Sequence, residues 1–249
     1  MKTMAIIQAR MGSSRLPGKV LRPVCGTPLI IHMLTRLKRS KNLDQIWVAT
    51  SKNTENDPLE KVVKDFGIPV YRGSENDVLS RYFELASQYK PMWVIRLTGD
   101  CPLIDPEMLD SMLDFAFKHI DEFDYVTNAV KPTFPDGLDI EIFKYELLEL
   151  AHNAGKDPAE REHVTAFFLG KNPQSKNIRT YHYQGEKDYS HLRWTVDRPE
   201  DFELVKIIFE HFMNIKPDFA WTDVLQYVQK NPHLQGMNQN FKRNENFHY

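Results

Sequence analysis

Ala5-Ile6-Ile7-Gln8-Ala9-Arg10-Met11-Gly12-Ser13-Ser14-Arg15-Leu16-Pro17-Gly18-Lys19 runs from an apolar strand pattern into a loop rich in glycine, hydroxyls and cations. A helical pattern follows from Pro28 to Lys38, with Leu29, Ile30, Met33, Leu34 and Leu37 on one face. Strand, polar loop and amphipathic helix together make the first half of a βαβ unit. The pattern repeats outward. Ile46 to Thr50 reads as a strand, Pro58 to Phe66 as a helix with Leu59, Val62, Val63 and Phe66 inward, Pro69 to Tyr71 as a strand, Val78 to Tyr89 as a helix and Met92 to Leu97 as a strand. Such alternation predicts an α/β fold with a mainly parallel sheet covered by helices on both faces. Ligands of such sheets sit beyond the carboxyl ends of the strands.

The second half is less regular. Helix Pro106 to His119 and strand Tyr125 to Thr127 continue the alternation, and a loop from Pro132 to Gly137 leads into an expected strand, Leu138 to Phe143. Helices are expected at Tyr145 to Ala154 and Ala159 to Leu169, short strands at Ile178 to Tyr183 and Leu192 to Val196, and an amphipathic helix at Glu200 to Met213. No boundary interrupts residues 1–230, which read as a single domain. Residues 231–249 form a polar tail rich in Asn and Gln, whose composition leaves its order open.

With 249 residues and 41% hydrophobic content, the chain can close a substantial core. Its formal net charge of -2 excludes a bulk electrostatic grip on nucleic acid or an anionic membrane. Cys25 and Cys101 form neither a disulfide framework nor a metal cluster and fit a reducing cytoplasm. The apolar stretch Met4 to Ile7 is too short for a signal or membrane segment.

Any polyanion must therefore be met locally, and the first loop is equipped for one. Arg10, Arg15, Lys19 and Arg22, with Gly12, Gly18, Ser13 and Ser14, supply backbone donors and fixed charge for a triphosphate. The loop is not a Walker A motif, because five residues separate Gly12 from Gly18 and Val20 stands where a hydroxyl should hold magnesium. An ordinary connecting loop with solvated cations has the same composition. Asp100, after the strand Met92 to Leu97, is placed as a magnesium ligand or as a common Gly-Asp turn. Asp197, at the end of a short expected strand and before the helix opening with Pro199, reads on its own as a helix cap. Asp139 and Glu141, alternating on one face of the expected strand, and Asp136 before it suit sugar hydroxyls or a solvated edge. Glu162 and His163 either contact an acceptor or belong to a charged first helical turn.

The run Ile7 to Lys19 closely resembles the opening of the cytidylyltransferase superfamily of CMP-Kdo and CMP-sialic acid synthetases. Gln8 and Met11 are similar to its spore coat polysaccharide biosynthesis branch. The resemblance continues in family order through Asp44 to Thr50, Arg72 to Leu79, Arg96 to Leu103, Pro135 to Glu141, Arg161 to Thr165 and Arg193 to Asp197. It implies a three-layer α/β/α nucleotide-sugar transferase fold (GT-A-like, Rossmann-like), a homodimer with a β-ribbon from the second half, and transfer of CMP from CTP to a sugar or sugar acid. It further implies that Arg10, Arg15 and Lys19 hold the triphosphate with Ala9, Gly12 and Ser13, that Asp100 and Asp197 hold Mg2+, and that Arg72, Ser74 and Arg81 meet base and ribose. Asp136, Asp139, Glu141, Glu162 and His163 are then candidates for the acceptor side. A glycosyltransferase on the same architecture is a rival, although its Asp-x-Asp motif is absent at Gly99-Asp100-Cys101. A non-catalytic nucleotide-binding module is another.

Overall fold

A computed structural model describes residues 1–169, 172–241 and 243. In chain order the elements are β1 (Thr3–Gln8), β2 (Pro23–Val24), β3 (Thr27–Pro28), α1 (Leu29–Leu37), β4 (Gln45–Ser51), α2 (Asp57–Asp65), β5 (Val70–Gly73), α3 (Val78–Ala86), β6 (Trp93–Thr98) and α4 (Pro106–Lys118). There follow β7 (Tyr125–Thr127), β8 (Glu141–Lys144), α5 (Tyr145–Ala154), α6 (Pro158–His163), β9 (Thr180–His182), α7 (Pro199–Phe212), α8 (Trp221–Lys230) and α9 (Pro232–Gln235).

Among the described residues one sheet has seven strands in the order β5-β4-β1-β6-β8-β7-β9. β1 lies parallel between β4 and β6, and β8 runs against both of its neighbours, β6 and β7. The sheet is therefore mixed and mainly parallel. Side chains alternate between its faces as the strand period requires. Ala5 and Ile7 of β1 pack with α1, α4 and α7, whereas Met4 and Ile6 pack with α3, α5 and the 3-10 turn Val164–Leu169. Helix starts are locally encoded. Asp77 accepts the Ser80 N–H at the start of α3, and Asp105 accepts those of Glu107 and Met108 ahead of Pro106 in α4.

The first half follows the alternation closely, and the second departs from it in three places. The expected strand Leu138 to Phe143 pairs only over Glu141–Lys144, because Asp136, Gly137 and Leu138 turn toward the segment around Arg193. That segment, Leu192 to Val196, forms no strand and touches Asp136 through a single bridge. The expected helix Ala159 to Leu169 ends at His163 and continues as the 3-10 turn, since Val164 adopts a φ of +48° that breaks the α register. Among the described residues the separate two-stranded ribbon is β2–β3, from the first half of the chain. Of the tail, α9 and the residues to Phe241, with Arg243, lie within the described residues; Lys242 and residues 244–249 lie outside them. Among the described residues no helix is long and apolar enough to cross a membrane.

Gly137 is where the second half of the chain closes on the sheet. Its φ is +104°, and a Cβ there would stand 2.5 Å from the Thr195 backbone nitrogen. Gly67 also has a positive φ, +80°, but nothing lies within 4 Å of its missing Cβ. Gly67→Ala should therefore cost only the left-handed penalty of about 1–2 kcal/mol. Gly137→Ala should cost on the order of 3 kcal/mol, because backbone must also move. Urea unfolding midpoints of the two variants check this ordering, and equal midpoints would refute it.

Candidate active site

Three loops at the carboxyl ends of the parallel strands build the site. The first leaves β1 and closes on itself, with the N–H groups of Ser13 and Gly18 both donating to the Met11 carbonyl, at 2.9 and 3.0 Å. The Met11 N–H in turn donates to Asn56 Oδ1 at 2.8 Å, which fixes the loop to the start of α2. Arg10, Gly12, Ser14 and Arg15 are exposed on it, Ser13 is half-buried, and Ala9 and Lys19 are buried. The second loop leaves β6 at Gly99, whose absent Cβ would meet Ala9 Cβ at 2.8 Å. Glycine at this point lets the chain pass the end of β1 and turn Asp100 into the opening. The third is the segment before α7. Val196 donates its N–H to the Asp100 carbonyl at 2.8 Å, so Asp197 arrives beside Asp100.

Lys19 Nζ lies between the two acids, 2.9 Å from Asp100 Oδ2 and 2.8 Å from Asp197 Oδ1. Burial works against the ammonium, but the charges and hydrogen bonds of both aspartates outweigh it and raise the Lys19 pKa. Burial likewise pushes Asp100 up, and the Lys19 charge with donation from Thr98 reverses this, leaving its carboxyl at about 2. The lysine is a charged ammonium and Asp100 a carboxylate throughout the physiological range.

Arg193, which sequence alone gives no role, is the other centre of charge. Its guanidinium, 7% exposed, donates to Asp136 Oδ2 at 2.8 Å, Asp197 Oδ2 at 3.1 Å and Asp201 at 3.0 and 3.1 Å. Asp201 also accepts the N–H groups of Asp197 and Arg198, both at 3.0 Å. Cation and acids at i, i+4 and i+8 were visible in the sequence; the Asp136 contact was not. Burial pushes the Asp136 carboxyl up, Arg243 and Arg193 oppose this, and Asp100 and Asp197 add to it.

The remaining predicted residues divide. Arg10 pairs with Glu75 at 2.9 Å on the rim of the opening. Arg81 is buried, and its Nε and Nη1 have no hydrogen-bond partner among the described residues. Ser74 is exposed and accepts the Asp77 N–H. Arg72 is held by Asp57, Glu60 and the carbonyls of Ser51 and Asn53, so it ties β5 to α2 rather than facing the loop freely. Glu141 does not share an open acidic face with Asp139. It is buried, bonded to Arg96 and to the Tyr125 hydroxyl, while Asp139 precedes the strand and pairs with Arg243. Glu162 is exposed and His163 half-buried; burial lowers the His163 pKa, Glu162 opposing this and Arg96 reinforcing it.

Among the described residues no three acidic, histidine or cysteine side chains converge as a metal cage. Asp100 and Asp197 nevertheless converge on one cation, the Lys19 ammonium. Two hard carboxylates fit magnesium, which takes its remaining ligands from phosphate oxygens and water and is seldom caged by protein alone.

A mainly parallel sheet with a cationic loop and paired acids at its carboxyl edge places the chain in the nucleotide-handling α/β class. The sequence model of the cytidylyltransferase family matches residues 4–230, and the chain belongs to that family of enzymes. It is 33% identical over 232 residues to the spore coat polysaccharide biosynthesis protein SpsF of Bacillus subtilis, covering 91% of this chain and 94% of the relative. A solved cytidylyltransferase from Leptospira borgpetersenii is 37% identical with a TM-score of 0.89, each chain covered in full. A CMP:2-keto-3-deoxy-manno-octonic acid synthetase, solved with CTP, shares the fold at 21% identity and a TM-score of 0.65, over 85% of this chain and 99% of that one.

The geometry ranks the two arginines that touch Asp197. Arg15 reaches it at 3.3 Å with its side chain 32% exposed, and Arg193 is buried among three acids. Arg15→Met should cost less than about 1 kcal/mol of stability. Arg193→Met should cost roughly 3–5 kcal/mol, because it strands buried carboxylates. Chemical denaturation of both variants measures the gap.

Proposed function

We propose that the protein transfers CMP from CTP to a hydroxyl of a sugar or sugar acid and releases pyrophosphate. The observation that carries this reading is the meeting of Lys19, Asp100 and Asp197 at the mouth of the cationic loop, in a chain of the cytidylyltransferase family. The sugar acid and CTP named for the solved synthetase of the same fold support the choice of acceptor class and nucleotide.

In the reaction an acceptor hydroxyl gives up its proton to solvent as its oxygen bonds to the α-phosphorus, the bond to the bridging oxygen breaks, and pyrophosphate carries away the electron pair. Arg10, Arg15 and Lys19 hold the outer phosphates and neutralise the departing charge, with backbone groups at Ala9, Gly12 and Ser13 as further contacts. Asp100 and Asp197 would hold a magnesium ion, which when bound polarises the α-phosphate and lowers the acceptor's pKa. Arg81, whose Nε and Nη1 have no hydrogen-bond partner among the described residues, is assigned to the base, since an unpaired buried guanidinium gains most from an acceptor that reaches it. Ser74 lies on the ribose side. Asp136, Asp139, Glu162 and His163 border the acceptor, and Glu141 supports that side indirectly by holding Arg96. The work is positioning and charge neutralisation, without a covalent enzyme intermediate.

The direct test is pyrophosphate release from CTP and magnesium across a panel of sugars and sugar acids; release with no member of the panel, or equally with GTP, would count against the reading. Asp100→Asn and Asp197→Asn should each abolish turnover, and the double variant should be little worse than either, since groups acting as a unit are non-additive. Lys19→Ala should weaken CTP binding by about 1.5–3 kcal/mol and CMP binding far less. Calorimetric titration of both nucleotides checks this, and equal losses would remove Lys19 from the outer phosphates.

A further inference from the structure

The family match ends at residue 230, yet described residues beyond it pack against the segment that carries Asp197. Leu234 is 2% exposed and Asn238 3% exposed. The Phe241 ring carries the Arg198 guanidinium 4.3 Å from its centroid, and Arg243 donates to the Phe134 carbonyl at 3.2 Å. Asn238 reaches deepest. Its Nδ2 donates one hydrogen to Asp201 Oδ1 at 2.8 Å and the other to the Arg193 carbonyl at 2.9 Å.

Both partners hold Asp197 from the side away from the opening. Asp201 accepts the Asp197 N–H, Arg193 takes Asp197 Oδ2, and only Oδ1 is left facing the Lys19 position and Asp100. We infer that Asn238, a residue of the C-terminal segment, is a positioning residue of the active site that acts through Asp201 and Arg193 to hold Asp197 with one oxygen toward Asp100. This rests on the proposed role of the acid pair. The residue type follows from the geometry. Both contacts need a donor, so the primary amide of asparagine satisfies them with a single nitrogen. An aspartate in its place would set a carboxylate against Asp201 and against a carbonyl, and a leucine of similar shape would leave both acceptors without this donor.

The test measures two affinities in the full chain, for CTP in EDTA by calorimetry and for Mn2+ at saturating CTP by electron paramagnetic resonance. It compares wild type, Asn238→Leu, Asn238→Asp and the reference Asp197→Asn. Groups that orient metal-binding side chains typically set metal affinity within a range of about 10–100-fold. Asn238→Leu should therefore weaken Mn2+ about tenfold and Asn238→Asp about a hundredfold, with CTP affinity in EDTA changed less than about twofold. Wild-type Mn2+ affinity in both Asn238 variants, with loss in Asp197→Asn, overturns the inference and leaves the acid pair standing. Equal losses of CTP and Mn2+ affinity also overturn it, because a merely structural staple would loosen the whole site. Retention of Mn2+ by Asp197→Asn removes the acid pair and the inference together.

Discussion

Two ionised carboxylates that converge on one point repel each other, and a cation between them turns that repulsion into attraction. Asp100 and Asp197 come from separate loops, and Lys19 lies within 2.9 Å of both. Much of the carboxyl edge of the sheet can be understood as support for that arrangement. The cationic loop is closed on the Met11 carbonyl so that Lys19 follows directly, and Gly99 lets Asp100 pass the end of β1. Arg193 and Asp201 hold Asp197 from behind. Four aspartates in so small a volume would repel one another by several kcal/mol at low effective dielectric; the interleaved Lys19 and Arg193 convert that repulsion into a fixed geometry.

The same balance bears on how the proposed site would take up its nucleotide. On the proposed function, a triphosphate entering the loop would bring anionic oxygens to Lys19, Arg15 and Arg10 and draw Lys19 from the acid pair it bridges. On that reading the acids would exchange their internal cation for a bound metal as the nucleotide arrives. The wider arrangement keeps solvent from supplying the difference, since Lys19, Asp136, Arg193 and Asp201 are all buried.

Much of this was legible in the sequence, for identifiable reasons. The first half alternates strands and helices with near-neighbour pairing, so periodicity alone places the loop after β1 and Asp100 after β6. Pairing in the second half is reversed or long-range, and Leu192 to Val196, with good strand composition, has no strand beside it to pair with. Charge type alone could not separate Arg72 and Glu141, which are spent on Asp57, Glu60 and Arg96, from Arg81, which is not. Arg193 carried a signal in its spacing to Asp197 and Asp201. Asn238 carried none, because an amide in a polar tail is defined only by what the fold brings to it.

The account turns on one position between Asp100 and Asp197, occupied by the lysine ammonium before nucleotide binds. The most direct measurement is the anomalous scattering of manganese in a crystal of the protein grown with Mn2+ and a non-hydrolysable CTP analogue. The account predicts a peak within coordinating distance of both aspartates, with Lys19 moved onto the phosphates. A peak away from either acid, with Lys19 still bridging them, would contradict it.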